Sequence, residues 1–235
     1  MTLVLLTPVG LDAGTWDLCD LPGGDVVRHV FPGFGARPRS PEAPTMASLA
    51  DEVAGTYEGP LDLAGVSMGG MVAQHVAVRH PDRVRSLLVA CTGANADPTV
   101  MHRRAAAART AGMAGVLADT LDRWFTPRAL SAVPIPAGVA SAREALLGLD
   151  AEAFADGWSA IATHDARAGL PAVRARTTVV AGRDDVAAPP ARCREIADMV
   201  PGSTFVELDG PHMLHLERPA LFSKTLADHL ARRPR

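Results

Sequence analysis

The sequence predicts an α/β fold: a mostly parallel sheet of about six strands, covered by helices on both faces and interrupted by a helical insertion. Three observations lead there. Short apolar runs alternate with longer segments of helical period, as in sheets buried on both sides. The alternation stops between residues 97 and 168. The chain has 235 residues, of which 48% are hydrophobic and 21% charged, enough to bury roughly three quarters of the surface its unfolded form exposes.

The elements follow in order. TLVLLT (2–7) reads as the first strand and DVVRHVF (25–31), ended by Pro32 and Gly33, as the second. MASLADEVAGTY (46–57) reads as a helix with Thr45 as N-cap. LDLAGV (61–66) is the third strand, MVAQHVAVRH (71–80) a helix closed by Pro81, and RSLLVAC (85–91) the fourth strand. TTVVAG (177–182) and STFVELD (203–209) are the fifth and sixth, and ALFSKTLADHLARR (220–233) is the last helix. Residues 97–168 are rich in Ala and Arg and carry Trp124, Phe125 and Trp158; they form the insertion, leaving 1–96 and 169–235 as the core.

Composition narrows the function. The net charge of −3 and scattered arginines give no footprint for nucleic acid, and the terminal ARRPR reads as a solvated helix end. The three cysteines, Cys19, Cys91 and Cys193, have neither disulfide nor metal spacing. Cys91 reads as buried filler, and a reducing, cytoplasmic location follows. The apolar start has no basic leader, and no run approaches the roughly 18 residues of a membrane span. The oligomeric state is not legible.

The chemistry centres on GVSMGG, Gly65 to Gly70. Gly65-Val66-Ser67-Met68-Gly69 fits G-x-S-x-G, a sharp strand-to-helix turn that exposes a serine hydroxyl at a helix N-terminus. The apolar strand before it and the helix after it are the context that pattern requires. A serine needs a base, and the base needs an orienting acid. His212 follows the sixth strand and is the expected base. Asp184 and Asp185 both follow the fifth; Asp185 is favoured as the acid, with Asp184 a loop carboxylate. Backbone N–H groups of Met68 and Val9 are the expected oxyanion donors, since Pro8 has none.

Other residues compete for attention. His212-x-x-His215-x-Glu217 has the look of a metal cluster, but no further ligands accompany it. His75 and His80 read as surface or packing residues of the helix after the serine, and His164, in the insertion, as a residue that could reach a pocket. Trp124, Phe125 and Trp158 are candidate pocket walls. Arg103, Arg104 and Arg128 are candidates to hold a substrate carboxylate.

These segments together resemble the α/β-hydrolase superfamily over nearly the whole chain. GVSMGG matches its nucleophile elbow, FPGFGARPRS the loop after its second strand here, GRDDVAAPP its acid loop, and GPHMLHLERP its histidine segment. VGLDAGTWD, GVSMGGMVAQ and LDRWFTP are similar to 3-oxoadipate enol-lactonases and related small lactone or ester hydrolases. The resemblance implies a cap domain, a triad of Ser67, His212 and Asp185, and hydrolysis of a small carboxylated enol lactone. No cofactor or metal is implied. Carbon–carbon bond hydrolases, lyases and perhydrolases share the elbow and stay open as alternatives, as does a non-catalytic receptor. Relative to the superfamily, the leading strand pair reads as missing or trimmed, and Thr7-Pro8 stands where His-Gly is common.

Overall fold

The computed structural model describes residues 2–232. Strands β1 (Thr2–Leu6), β2 (Asp25–His29), β3 (Leu61–Val66), β4 (Val84–Ala90), β5 (Arg176–Gly182) and β6 (Thr204–Leu208) form one sheet in the order β2-β1-β3-β4-β5-β6. All five pairings are parallel. The chain therefore runs outward from β1 to β2, crosses back to β3, and then steps away to β6. The C-terminal ends of β1 and β3, on either side of that reversal, form the crevice where open α/β sheets bind ligands.

The period of two along each strand divides the core. Val4, Leu6, Leu63, Leu87, Val89 and Val179 face one layer, packed by α1 (Met46–Thr56) and α2 (Met68–Arg79). Leu3, Leu5, Ala64, Val66, Leu88, Ala90 and Val180 face the other, with Trp16 and with Phe222 and Leu226 of the C-terminal helix. At α1 the expected cap is present: Thr45 Oγ1 accepts from Ser48 N at 3.0 Å, and Thr45 N donates to Ser48 Oγ at 2.9 Å.

Between β4 and β5 lie α3 (Pro98–Trp124), α4 (Pro127–Leu130), α5 (Ala137–Leu147) and α6 (Ala151–Ile161). α3 is broken at Gly112, whose φ of 66° turns the chain, so its two halves lie in different directions. The insertion leaves and rejoins the core at one stem, where Ala96 N donates to His164 O at 2.9 Å and Ala166 N to Ala94 O at 2.8 Å. After β5 come α7 (Pro190–Met199), α8 (Leu214–Glu217) and α9 (Pro219–Ala231).

Most boundaries differ from expectation by one or two residues. The larger shift is α2, which begins at Met68 rather than 71, because the turn at Ser67 passes directly into helix. The last helix ends at Ala231; Arg233 and the rest of ARRPR past Arg232 lie outside the described residues. Among the described residues, no helix is long and apolar enough to cross a membrane.

Candidate active site

Ser67 sits between the last residue of β3 and the first of α2 with φ 55° and ψ −119°, a backbone region that L residues rarely occupy. Two close approaches hold it there. A Cβ on Gly65 would lie 2.3 Å from the Gly69 carbonyl carbon, and one on Gly69 would lie 2.1 Å from Leu6 O. The flanking glycines are therefore a packing requirement. Ser67 N donates to Ala90 O at 2.9 Å, which ties the turn to β4.

The loops after β5 and β6 bring the partners. His212 Nε2 is 2.9 Å from Ser67 Oγ, and His212 Nδ1 is 2.8 Å from Asp185 Oδ2. The carboxylate's other oxygen accepts from Ala187 N at 2.8 Å and Ala188 N at 2.7 Å. With Asp185 an acceptor, Nδ1–H donates to it, and Nε2 is left to accept the serine proton. Ser67, Asp185 and His212 are all at least 94% buried. Asp184 is exposed, its N–H donating to Gly210 O. Met68 opens α2, so its N–H has no intrahelical acceptor. Val9 is buried in the turn after β1, its side chain beside Gly157 of α6.

Ser67 and His212 lie at the edge of a cavity of about 230 Å³, below the range of drug-sized sites. Its apolar wall includes Met71, Met101, Trp124, Trp158 and Ile161. Phe125 is a correction. It is 3% exposed within the core cluster and does not line the cavity: α3 ends at Trp124, and Phe125, on extended backbone, is packed into the core instead. Arg104 lines the cavity, its guanidinium 4.7 Å from the Trp158 ring centroid. Arg103 and Arg128 do not; both are exposed. Sequence reasoning missed Arg123 and Arg192, which do line it. Arg192 Nη2 donates to Asn95 Oδ1 at 2.8 Å and so braces the stem of the insertion.

The remaining histidines do other work. His215 is fully buried against Trp16 and Phe222, with Nε2 2.7 Å from Thr15 Oγ1; burial pushes it down to about 3. It lies in the layer under the sheet, and no group of three metal-capable side chains occurs among the described residues. His164 does not reach the cavity. Its Nε2 is 2.9 Å from Gly93 O and its Nδ1 3.1 Å from His75 Nε2, and burial pushes it down to about 4. His80 pairs with Asp51 at 2.7 Å. Glu217 was missed as a positioning residue: its carboxylate accepts from Thr126 N at 2.9 Å and Thr126 Oγ1 at 2.6 Å. Together with Met213 N donating to Trp124 O at 2.9 Å, this ties the histidine loop to the end of α3.

A sequence model described as the alpha/beta hydrolase family matches residues 3–225. The chain belongs to that family. It is 30% identical over 214 residues to a pimeloyl-[acyl-carrier protein] methyl ester esterase of Chromobacterium violaceum, covering 85% of this chain and 81% of that one. It is 28% identical over 160 residues to 3-oxoadipate enol-lactonase 2 of Acinetobacter baylyi, covering 68% of this chain and 59% of that one. Among solved structures, the enol-lactonase from Burkholderia xenovorans LB400 superposes with a TM-score of 0.93 at 31% identity, covering 98% of this chain and 91% of that one.

Proposed function

We propose that this alpha/beta hydrolase cleaves a small ester or lactone through an acyl-enzyme on Ser67. The observation that carries the reading is the unbroken chain Ser67–His212–Asp185 at the edge of a small cavity with apolar and cationic walls. His212 takes the serine proton as Oγ attacks the carbonyl carbon. Asp185, fixed by the Ala187 and Ala188 N–H groups, orients the imidazole and stabilises its charged form. The N–H groups of Val9 and Met68 receive the oxyanion, each worth about 10²–10³ in rate. His212 then protonates the leaving oxygen, and water, activated by the same base, releases the acid. No cofactor enters these steps.

Relatives named as a methyl ester esterase and as enol-lactonases favour this bond type over carbon–carbon cleavage. The substrate is a small molecule, and α3 to α6 serve as its cap. A cytoplasmic location belongs to the same proposal, favoured by Cys19, Cys91 and Cys193, all buried free thiols. The test is turnover of a panel of p-nitrophenyl esters, methyl esters, lactones and enol lactones beside Ser67→Ala. Turnover that vanishes in the variant supports the reading. Folded protein that hydrolyses none of them and resists an organophosphonate probe overturns it.

A further inference from the structure

Gly157 sits in the interior of α6, where glycine weakens a helix. Its neighbours account for it. A Cβ there would lie 2.7 Å from Val9 Cγ2 and 2.9 Å from Phe34 Cζ. α6 therefore rests directly on the turn after β1. In that turn Leu11 N donates to Pro8 O at 3.3 Å, which puts Val9 and Gly10 at its two central positions. Gly10, at φ 76°, meets the same helix: a Cβ on it would lie 2.8 Å from the Phe154 ring. Phe154 and Gly157 are three residues apart and share one face of α6.

The helix is itself fixed to the core. Asp156 Oδ2 accepts from Arg39 Nη2 at 2.7 Å and from Arg39 Nε at 3.0 Å, which ties α6 to the segment after β2. Just past its C-terminal end, Thr163 Oγ1 accepts from Met46 N, the first residue of α1, at 2.9 Å. The same helix supplies Trp158 and Ile161 to the wall of the cavity beside Ser67. One element thus touches the substrate space and the turn at once. The direction of an N–H in a turn follows the turn's dihedral angles, and close packing on both central residues leaves that peptide little room to rotate.

We infer that α6 positions the Val9 N–H, with Gly157 and Phe154 as positioning residues, so that the helix covering the substrate also completes the oxyanion hole. This rests on the hydrolase reading above and on Val9 as a donor within it. A donor acts only within hydrogen-bond distance of the place the oxyanion will occupy. Displacing Val9 therefore weakens transition-state binding. It spares substrate binding, because neither Gly157 nor Phe154 lines the cavity beside Ser67.

The experiment is a double-mutant cycle on Val9 and Gly157, read on whichever ester of the panel is turned over. Gly157→Ala is expected to lower kcat per folded molecule roughly 10- to 100-fold, with KM changed by less than about threefold. A merely structural role would lower the folded fraction and leave kcat per folded molecule alone. Trifluoroacetone supplies the second readout. Ser67 Oγ adds to its carbonyl carbon, the C=O π pair moves to oxygen as the oxyanion, and the serine proton passes to His212. Its inhibition constant should rise by the same factor as kcat falls. Val9→Ala keeps the N–H and removes the methyl that the added Cβ would strike, so Val9→Ala with Gly157→Ala should be more active than Gly157→Ala alone. Phe154→Leu, which takes the ring off Gly10 without adding bulk, should also lower kcat and weaken trifluoroacetone. A folded Gly157→Ala variant that keeps kcat and trifluoroacetone affinity overturns the inference, as does a loss that Val9→Ala fails to relieve. If Gly157→Ala does not fold, unchanged kcat and trifluoroacetone affinity in Phe154→Leu overturn it. A wild-type enzyme that hydrolyses nothing and takes up no trifluoroacetone sinks the hydrolase reading; one that does both, beside variants that match it, sinks this inference alone.

Discussion

Replacing Ser67 by glycine should stabilise the protein relative to replacing it by alanine. Both variants lose the hydroxyl and its bond to His212, so that loss cancels between them. They differ in the backbone. At φ 55° and ψ −119° an alanine keeps the Cβ that makes this conformation unfavourable, and glycine does not. Such a residue stores about 1–3 kcal/mol. Glycine's extra freedom in the unfolded chain returns about 0.5–1 kcal/mol of this. Taking a central strain of about 2 and an entropy cost of about 0.8, glycine should lead by roughly 1 kcal/mol. In a domain of this size that is about 2–4 °C in melting temperature. Urea unfolding of the two inactive variants, compared at equal slope, measures it directly. An alanine variant as stable as the glycine variant would limit the strain to glycine's entropy cost of about 0.5–1 kcal/mol, and an alanine variant more stable by that amount would show that the elbow holds none and that the argument from its geometry is wrong.

Asp185→Asn should leave the backbone acceptor contacts largely in place but favour the wrong imidazole tautomer, lowering kcat about 10⁴-fold on any ester the enzyme accepts; a loss below tenfold would remove Asp185 from the mechanism. Gly69→Ala should fail differently: its Cβ would meet Leu6 O at 2.1 Å, so the turn must shift by about 1 Å. The expected result is about 1–3 kcal/mol of destabilisation and a rate loss near 10²-fold, whereas Gly55→Ala, with open space around it in α1, should be neutral or stabilising in the same assays. Acid should destabilise the fold between pH 6.5 and 4. His215, His164 and His229 are held at about 3, 4 and 4 in the folded chain, chiefly by burial, and return to 6.5 on unfolding. The unfolded state binds more protons in this window, so each contributes stability that is complete above pH 6.5 and falls by about 1.4 kcal/mol per unit below it. The carboxyls of Asp51 and Asp165, held at about 2 mainly by Arg79 and Arg167, stay ionised throughout that range. Unfolding free energies at pH 7, 6 and 5 check this; a flat profile refutes it, and His215→Gln should reduce the slope.

What the sequence disclosed follows from how local each feature is. The elbow was legible because its glycines, serine and flanking period changes all fall within ten residues. Asp185 was preferred to Asp184 by its place in GRDDVAAPP, three after Gly182 and four before Pro189, and it is Asp185 that meets His212. The wall of the cavity was not. Arg123 lies 19 positions beyond Arg104, and only the break at Gly112 brings the two to one space. On a straight helix either would read as a surface charge. Phe125 misled for a related reason: it follows Trp124 directly, but the helix ends between them and Phe125 is spent on the core. Glu217 had a signal, its place in the histidine segment, but its partner Thr126 is 91 residues away.

The spacing of the three triad candidates has a consequence for how the protein is made. Ser67 is translated early, Asp185 much later, and His212 follows Ser67 by 145 residues. The elbow, built from β1, β3 and β4, can assemble on the ribosome well before its base exists. A serine without a base is a weak nucleophile, so an unfinished or prematurely terminated chain carries an inert hydroxyl. On the proposed mechanism, Ser67 gains its base only once the loop after β6 is made and docked, so the order of synthesis leaves partly made chains without one.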